Sequence, residues 1–323
     1  MKLFALLIAA LLAAAAPAAA DPTRDVPVPG SGQIVDLGVL TPRTALPRRV
    51  VVWLPSGYDP KGPPYAVLYM HDGQNLFDDK TAGYGHEWMV DETLDRLIRE
   101  KKVRPTIVVG IWNTPKRLQD YVPAKAFARL PRAYMDRVRG LYGGDPLSDG
   151  YLKFIVDELR PAIARRFNVA TDRDDTFVMG SSMGGLISLY AIDEYPAVFG
   201  GAGMLSTHWP LFLPQHEGDK LTEGEFKAVS GAFTAYLATG LADPRRHRLY
   251  FDHGTETLDA EYARYQQLVD RSVAAKGYIQ GDNWLTVDYP GEAHNEQSWA
   301  SRLEIPLRFL LRPKGVQPLG LKP

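Results

Sequence analysis

Residues 176–194 constrain the fold of this chain most. Thr176-Phe177-Val178-Met179 is a short apolar run of strand character, and Leu186 to Glu194 has helical character. Between them stands Gly180-Ser181-Ser182-Met183-Gly184-Gly185. A strand that enters a helix through so short a glycine-rich turn belongs to a β-α unit, the building block of a parallel sheet. The turn also has the form G-x-S-x-G. Only Ser182 has glycine at both −2 and +2, so the register selects it over Ser181. A sharp turn lifts such a serine above the sheet and aims the following N–H groups at a reacting carbonyl. The hydroxyl still needs a base and an oxyanion site before it can attack.

The rest of the chain repeats the alternation. Strand patterns are read at Ile34–Val39, Arg49–Leu54, Ala66–Met70, Thr106–Ile111, Gly200–Met204, Arg248–Asp252 and Trp284–Tyr289. Helix patterns are read at Met89–Lys101, Tyr151–Phe167, Glu223–Ala238, Asp259–Lys276 and Glu296–Leu311. The expected architecture is a mostly parallel eight-stranded sheet with helices on both faces, with the serine turn after the fifth strand. That is the order of an α/β-hydrolase. Two long stretches, 113–150 and 206–247, interrupt it. The first is rich in Arg, Tyr, Pro and Gly and reads as irregular. Excursions of this length are commonly functional.

Composition narrows the partners. The formal net charge is −1 over 323 residues, so no basic face for nucleic acid is expected. The chain has no cysteine, which removes disulfides, thiolate ligands and thiol nucleophiles together. Lys2, the apolar run Leu3 to Ala16 and the small residues Ala18-Ala19-Ala20 read as a cleaved signal peptide over 1–20. Export to the periplasm or medium is the expectation, with residues 21–323 as one catalytic domain and no stable membrane insertion after cleavage. His86-Glu87 begins like a zinc-protease motif, but Val90 stands where the second histidine is needed. There is no phosphate loop and no dinucleotide fingerprint, and no cofactor or metal is expected.

In this architecture the triad partners follow the serine in the order acid, then histidine. Of seven histidines, His71 and His86 precede Ser182, and His208, His216, His247 and His253 precede the last strand. His294 alone lies just after it, in Pro290-Gly291-Glu292-Ala293-His294-Asn295-Glu296, and is the expected general base. The acid should follow the strand ending near Asp252. Asp252, Glu256 and Asp259 compete for that role. The oxyanion donors are expected to be the N–H groups of Met183 and, from the loop after the third strand, Gln74.

The segments Met70-His71-Asp72-Gly73-Gln74-Asn75-Leu76-Phe77-Asp78, Gly180 to Gly185 and Ala293-His294-Asn295-Glu296 together resemble the Putative esterase (esterase D-like) family of α/β-hydrolases. That family includes siderophore trilactone esterases, feruloyl and acetyl esterases, S-formylglutathione hydrolases and mycolyltransferases. The resemblance spans about residues 32–312. It implies ester hydrolysis through an acyl-enzyme without a cofactor, on a small-molecule or polysaccharide-linked ester. The acid segment departs from several relatives, which carry the acid closer to the glycine, so Asp259 and Glu256 both stay open. Arg117 and Tyr121 resemble an Arg/Tyr/Pro pattern near the site of similar esterases and are candidate substrate contacts, as are His208 and Trp209 after the sixth strand. Trp88 and Trp112 read as core. Transfer of the acyl group to a sugar or alcohol uses the same acyl-enzyme and is the alternative within catalysis. A non-catalytic binding protein on this scaffold would lack a catalytic residue, whereas Ser182, His294 and a choice of acids are all present.

Overall fold

The runs that read as continuous apolar strands are buried along their whole length in the computed structural model: β3 (Ala66–His71), β4 (Thr106–Ile111), β5 (Thr176–Ser181) and β6 (Gly201–Leu205). Burial of both faces is what a helix-covered parallel sheet demands. The remaining strands are β1 (Gln33–Leu40), β2 (Arg48–Leu54), β7 (Arg248–Gly254) and β8 (Trp284–Tyr289). They form one sheet in the order β1-β2-β4-β3-β5-β6-β7-β8. The ladders β1/β2 and β2/β4 are antiparallel, and every ladder from β4/β3 to β7/β8 is parallel. The structure describes residues 25–212 and 222–316. The signal peptide expected over 1–20 lies outside them, as does part of the 206–247 excursion.

Alternation along β2 assigns its side chains to two cores. Val50, Val52 and Leu54 pack on one face of the sheet with Leu186, Leu189 and Tyr190 of the helix Met183–Glu194. Val51 and Trp53 pack on the other with Leu94 and Leu97 of the helix Val90–Arg99. The period of two is the strand's own geometry. Leu186 is fully buried, and its truncation to alanine should cost about 2–5 kcal/mol. The helix after the serine turn is therefore held by the core.

Among the stretches that differ from the sequence reading are the first excursion and the last helix. The 113–150 excursion is largely helical, with segments Arg117–Tyr121, Ala124–Phe127, Arg132–Tyr142 and Ser148–Lys153. Most are too short to show a helical period, and prolines at 123 and 131 stand at two of their starts. The last helix is two, Glu296–Arg302 and Glu304–Leu310. Pro306 has no N–H to offer the carbonyl of Arg302, four residues back, so the ladder breaks there.

Strand order reverses between β3 and β5. From β3 the chain passes to β4 on one side, and from β5 to β6 on the other. The loops leaving these two strands diverge and open a crevice at the carboxyl edge of the sheet, the usual place for a ligand in such folds. The loops after β6, β7 and β8 reach the same edge.

Candidate active site

Ser182 sits between β5 and the helix Met183–Glu194 with φ 57° and ψ −123°. Its N–H donates to the Leu205 carbonyl at 2.9 Å, and its own carbonyl accepts from Gly185 and His208. Gly180 is needed because a Cβ there would stand 2.9 Å from the Gly184 backbone. The first glycine of the motif makes room for the second. Seven non-glycine residues among those described have positive φ, and four of them ring this site: Asp72, Ser182, Ser206 and Thr257. Strain gathered in one place is a mark of a functional centre. Ser182 is partly exposed.

The loop after β3 turns at Asp72, which has φ 55°. Gly73 serves close approach instead, since a Cβ there would lie 2.5 Å from the Gly110 backbone of β4. Asn75 N–H donates to the Asp72 carbonyl at 2.9 Å. Among the turn and cap bonds of the described residues none uses the N–H of Gln74 or of Met183. Met183 opens its helix, where backbone donors have no partner within the helix. The two expected oxyanion donors thus stand at the crevice, Gln74 in the short turn after β3 and Met183 at the start of the helix after β5.

The loops after β7 and β8 are tied together. Thr255 and Glu256 N–H both donate to the Glu292 carbonyl, and His294 N–H donates to Thr257 Oγ1 at 2.8 Å. His294 Nδ1 lies 2.6 Å from Asp259 Oδ1. Asp259 is 1 % exposed, and its second oxygen accepts from Ser206 Oγ at 2.5 Å and Gly254 N–H at 2.6 Å. Burial pushes its pKa up. The bond to His294, that imidazole's charge and the two further donors outweigh burial and hold it below the usual carboxylate value. The helix expected from Asp259 begins at Ala263. Asp259 itself lies in a one-turn 3-10 segment, Thr257–Glu261, that aims it at His294.

The other two carboxylates lie elsewhere. Glu256 is exposed and precedes that turn. Asp252 is buried on β7, bonded to Arg302 Nη2 at 2.9 Å, the Tyr250 hydroxyl at 3.0 Å and Ser206 N–H at 3.1 Å. The rings of Tyr262 and Trp299 stand edge-on to the imidazole of His294, at 5.6 and 5.1 Å. The Ser182 hydroxyl bonds to none of the described residues, so the serine–imidazole bond is open here. Such bonds are often long before substrate arrives.

The four residues expected to contact substrate are mostly turned inward. Arg117 grips Asp72 with two nitrogens, both at 2.7 Å, and its guanidinium lies over the Tyr121 ring. Tyr121 is 0 % exposed and its hydroxyl accepts the Asp72 N–H at 3.3 Å. Asn113 Nδ2 donates to the same aspartate at 2.7 Å. Trp209 is 1 % exposed, packed against Phe233 and Phe251, with Nε1 donating to Gln266. His208 is buried, with Nδ1 2.7 Å from the Tyr262 hydroxyl and Nε2 unpartnered. Burial, then the positive charges of His294 and Arg117, lowers its pKa to about 3, so it is neutral. Trp88 and Trp112 are core residues. Sequence reasoning did not single out Ser206, Arg302, Tyr262, Trp299 or Asn113. Only position after β6 could have pointed to Ser206. A cleft of about 1160 Å³ opens between Asp172–Asp174 and Asp243–His247, at the amino ends of β5 and β7, opposite this chemistry. The carboxylates of Glu87, Asp91 and Glu92 have metal-ligand spacing but lie outside the serine site.

The sheet order and the turn at Ser182 define an α/β-hydrolase. The model of the family described as "Putative esterase" matches residues 41–304, and the chain belongs to that family. Membership places it among esterases. The uncharacterized protein YbbA of Bacillus subtilis is 23 % identical over 274 residues, 84 % of this chain and 96 % of YbbA. The ferri-bacillibactin esterase BesA of the same organism is 28 % identical over 162 residues, 46 % of this chain and 52 % of BesA. An IroE-like serine hydrolase from Shewanella oneidensis shares the fold with a TM-score of 0.61 at 20 % identity, over 86 % of this chain and 79 % of that one.

Proposed function

We propose that the protein is an exported serine esterase in which Ser182, His294 and Asp259 act as a triad. The observation that carries this reading is the 2.6 Å contact of His294 with a buried, doubly bonded Asp259, on the sheet edge that also holds Ser182. Ser182 Oγ attacks the ester carbonyl as His294 takes its proton. The N–H groups of Gln74 and Met183 hold the tetrahedral oxyanion. Collapse breaks the carbonyl carbon–alkoxy oxygen bond, and the proton on His294 goes to the leaving alcohol. A water that gives a proton to the same imidazole then attacks the acyl-serine; the acyl carbon–Oγ bond breaks, the proton on His294 returns to Ser182 Oγ, and the acid is freed. Asp259 orients His294 and stabilises its cation. Arg117, Tyr121 and Asn113 hold the oxyanion loop through Asp72 and do not touch the ester. Export rests on the character of residues 1–20. No helix of the described residues is long and apolar enough to cross a membrane.

A fluorophosphonate should label Ser182, and Ser182→Ala should lose both labelling and hydrolysis while keeping its circular dichroism. Hydrolysis by a folded Ser182→Ala protein would overturn the assignment. The likeness to BesA puts ferri-bacillibactin first in a panel with a trilactone siderophore, methyl ferulate, acetylated xylan and short aryl esters.

A further inference from the structure

The chain from the end of the oxyanion loop into the first turn of the helix Val90–Arg99 carries Asp78, Asp79, Glu87, Asp91 and Glu92. The charges that weigh most on Glu87 are the other four, all negative. Glu87, Asp91 and Glu92 each bring one carboxylate oxygen within 4.8 Å of the others. Clustering alone would describe a solvated acidic face, but here Glu87 and Glu92 are half-buried and the residue between them in the cluster is fully buried. Asp91 is 0 % exposed. One of its oxygens accepts the Ser31 N–H at 3.0 Å, which fixes the side chain. The other, Oδ1, is buried without a partner, and so are Glu87 Oε2, Glu92 Oε2 and the hydroxyl of Ser31. The backbone makes room for the arrangement at Gly30, where a Cβ would fall 2.1 Å from Glu92 Oε1. Buried carboxylate oxygens with no donor are far costlier than an ordinary lost hydrogen bond, and a proton or a cation must answer them.

We propose that Glu87, Asp91 and Glu92, with the Ser31 hydroxyl, bind a hard divalent cation, Ca²⁺ in the first place. The donor set is oxygen only, which suits Ca²⁺, Mg²⁺ or Mn²⁺ and not a soft metal. Ca²⁺ accepts about six to eight oxygens in flexible geometry, so water can complete a set of four protein groups. The cation would join the segment at Ser31 to the start of the helix Val90–Arg99, across sixty residues of sequence. It would also stiffen the approach to the serine site. Trp88 N–H donates to the Asn75 carbonyl at 2.9 Å, and Val90 N–H to that of Leu76 at 3.1 Å. The Trp88 ring packs on Trp299, whose ring meets His294. The sequence concealed the site because Ser31 and Gly30 are remote and Glu87-x3-Asp91-Glu92 matches no metal motif.

The test uses the full chain stripped with EDTA. Tb³⁺ replaces Ca²⁺ in oxygen sites and emits when a neighbouring tryptophan is excited, here Trp88. Wild type should give a saturable Tb³⁺ signal that Ca²⁺ displaces. Its Tm should rise by about 3 °C or more at a hundredfold excess of Ca²⁺ over Kd. The double variant Glu87→Gln/Glu92→Gln should lose both effects, with a Tm in EDTA no lower than wild type because repulsion is relieved. Glu92→Gln alone, at a partly exposed position, should weaken Ca²⁺ at least about tenfold and guards against a double variant that fails to fold. Absence of any Tb³⁺ signal and of any Tm rise with Ca²⁺, Mg²⁺ or Mn²⁺ in wild type would overturn the proposal, leaving the carboxyls to hold protons. An unchanged affinity in Glu92→Gln would overturn it equally.

Discussion

Behind His294, Asp259 is held by a serine hydroxyl and a backbone N–H, and the nearest guanidinium, that of Arg302, stands 4.0 Å away. Beneath Gln74, Asp72 is gripped by two nitrogens of Arg117 and the amide of Asn113. Both carboxylates are buried, and both are held below the ordinary carboxylate value against the push of burial. They differ in what their charge answers. Asp72 faces a permanent cation, so its charge is neutralised before substrate binds. Asp259 faces the imidazole of His294, which in the proposed triad gains and loses a proton during the reaction. A carboxylate held mainly by neutral donors can stabilise a charge that comes and goes, while one paired with arginine can only fix a shape.

The comparison breaks most sharply at Asp259. Asp259→Asn should lower kcat by about 10³–10⁴ with little change in folding. An effect below about tenfold, measured on the best ester of the panel, would hand the role to another group.

Asp72 should show the reverse pattern. Arg117→Met leaves a buried charge unpaired and should cost about 3–5 kcal/mol in urea unfolding, whereas the double variant Asp72→Asn/Arg117→Met should recover part of the loss. If Arg117→Met instead raises KM without destabilising the fold, Arg117 contacts substrate.

A third test uses the two buried histidines that flank these supports. His71 beside Asp72 and His208 beside His294 are both lowered to about 3, first by burial. The unfolded chain, with histidine near about 6.5, binds the extra protons between the two values. Each histidine therefore removes stability as pH falls through that window, by up to about 1.4 kcal/mol per pH unit, and none is lost above it. Urea titrations of His208→Gln and wild type should give curves that converge or cross on acidification from pH 7 to 4. Parallel curves would mean that His208 is charged in the folded protein. The smallest effect belongs to Glu256→Gln, for which kcat/KM should stay within about twofold, because the residue is exposed and its bond to the neighbouring loop uses the backbone N–H.

The sheet could be read from sequence because its central strands are buried on both faces and so are apolar without interruption. The serine turn was readable because the close approach of Gly180 to Gly184 leaves no room for a side chain. Chain order singled out His294. The choice between Asp259 and Glu256 was not readable. It depends on a 3-10 turn and on two loops joined through Glu292, neither of which has a local period. The inward direction of Arg117 and Tyr121 was hidden for a related reason: their partner Asp72 is 45 or more residues away. Contacts of that range leave no pattern within either segment.

Ser206 has one hydrogen to give and two lone pairs to offer. The guanidinium of Arg302 and the indole of Trp299 are donors only, and both point at its oxygen, at 2.7 and 3.0 Å. Its hydrogen is left for Asp259 Oδ2. Asp259, ionised, can only accept, so the hydrogen between it and His294 belongs to Nδ1. Donation converges on the aspartate from both sides. Ser206, at the end of β6, thus decides from two strands away which way the hydrogen between Asp259 and His294 runs.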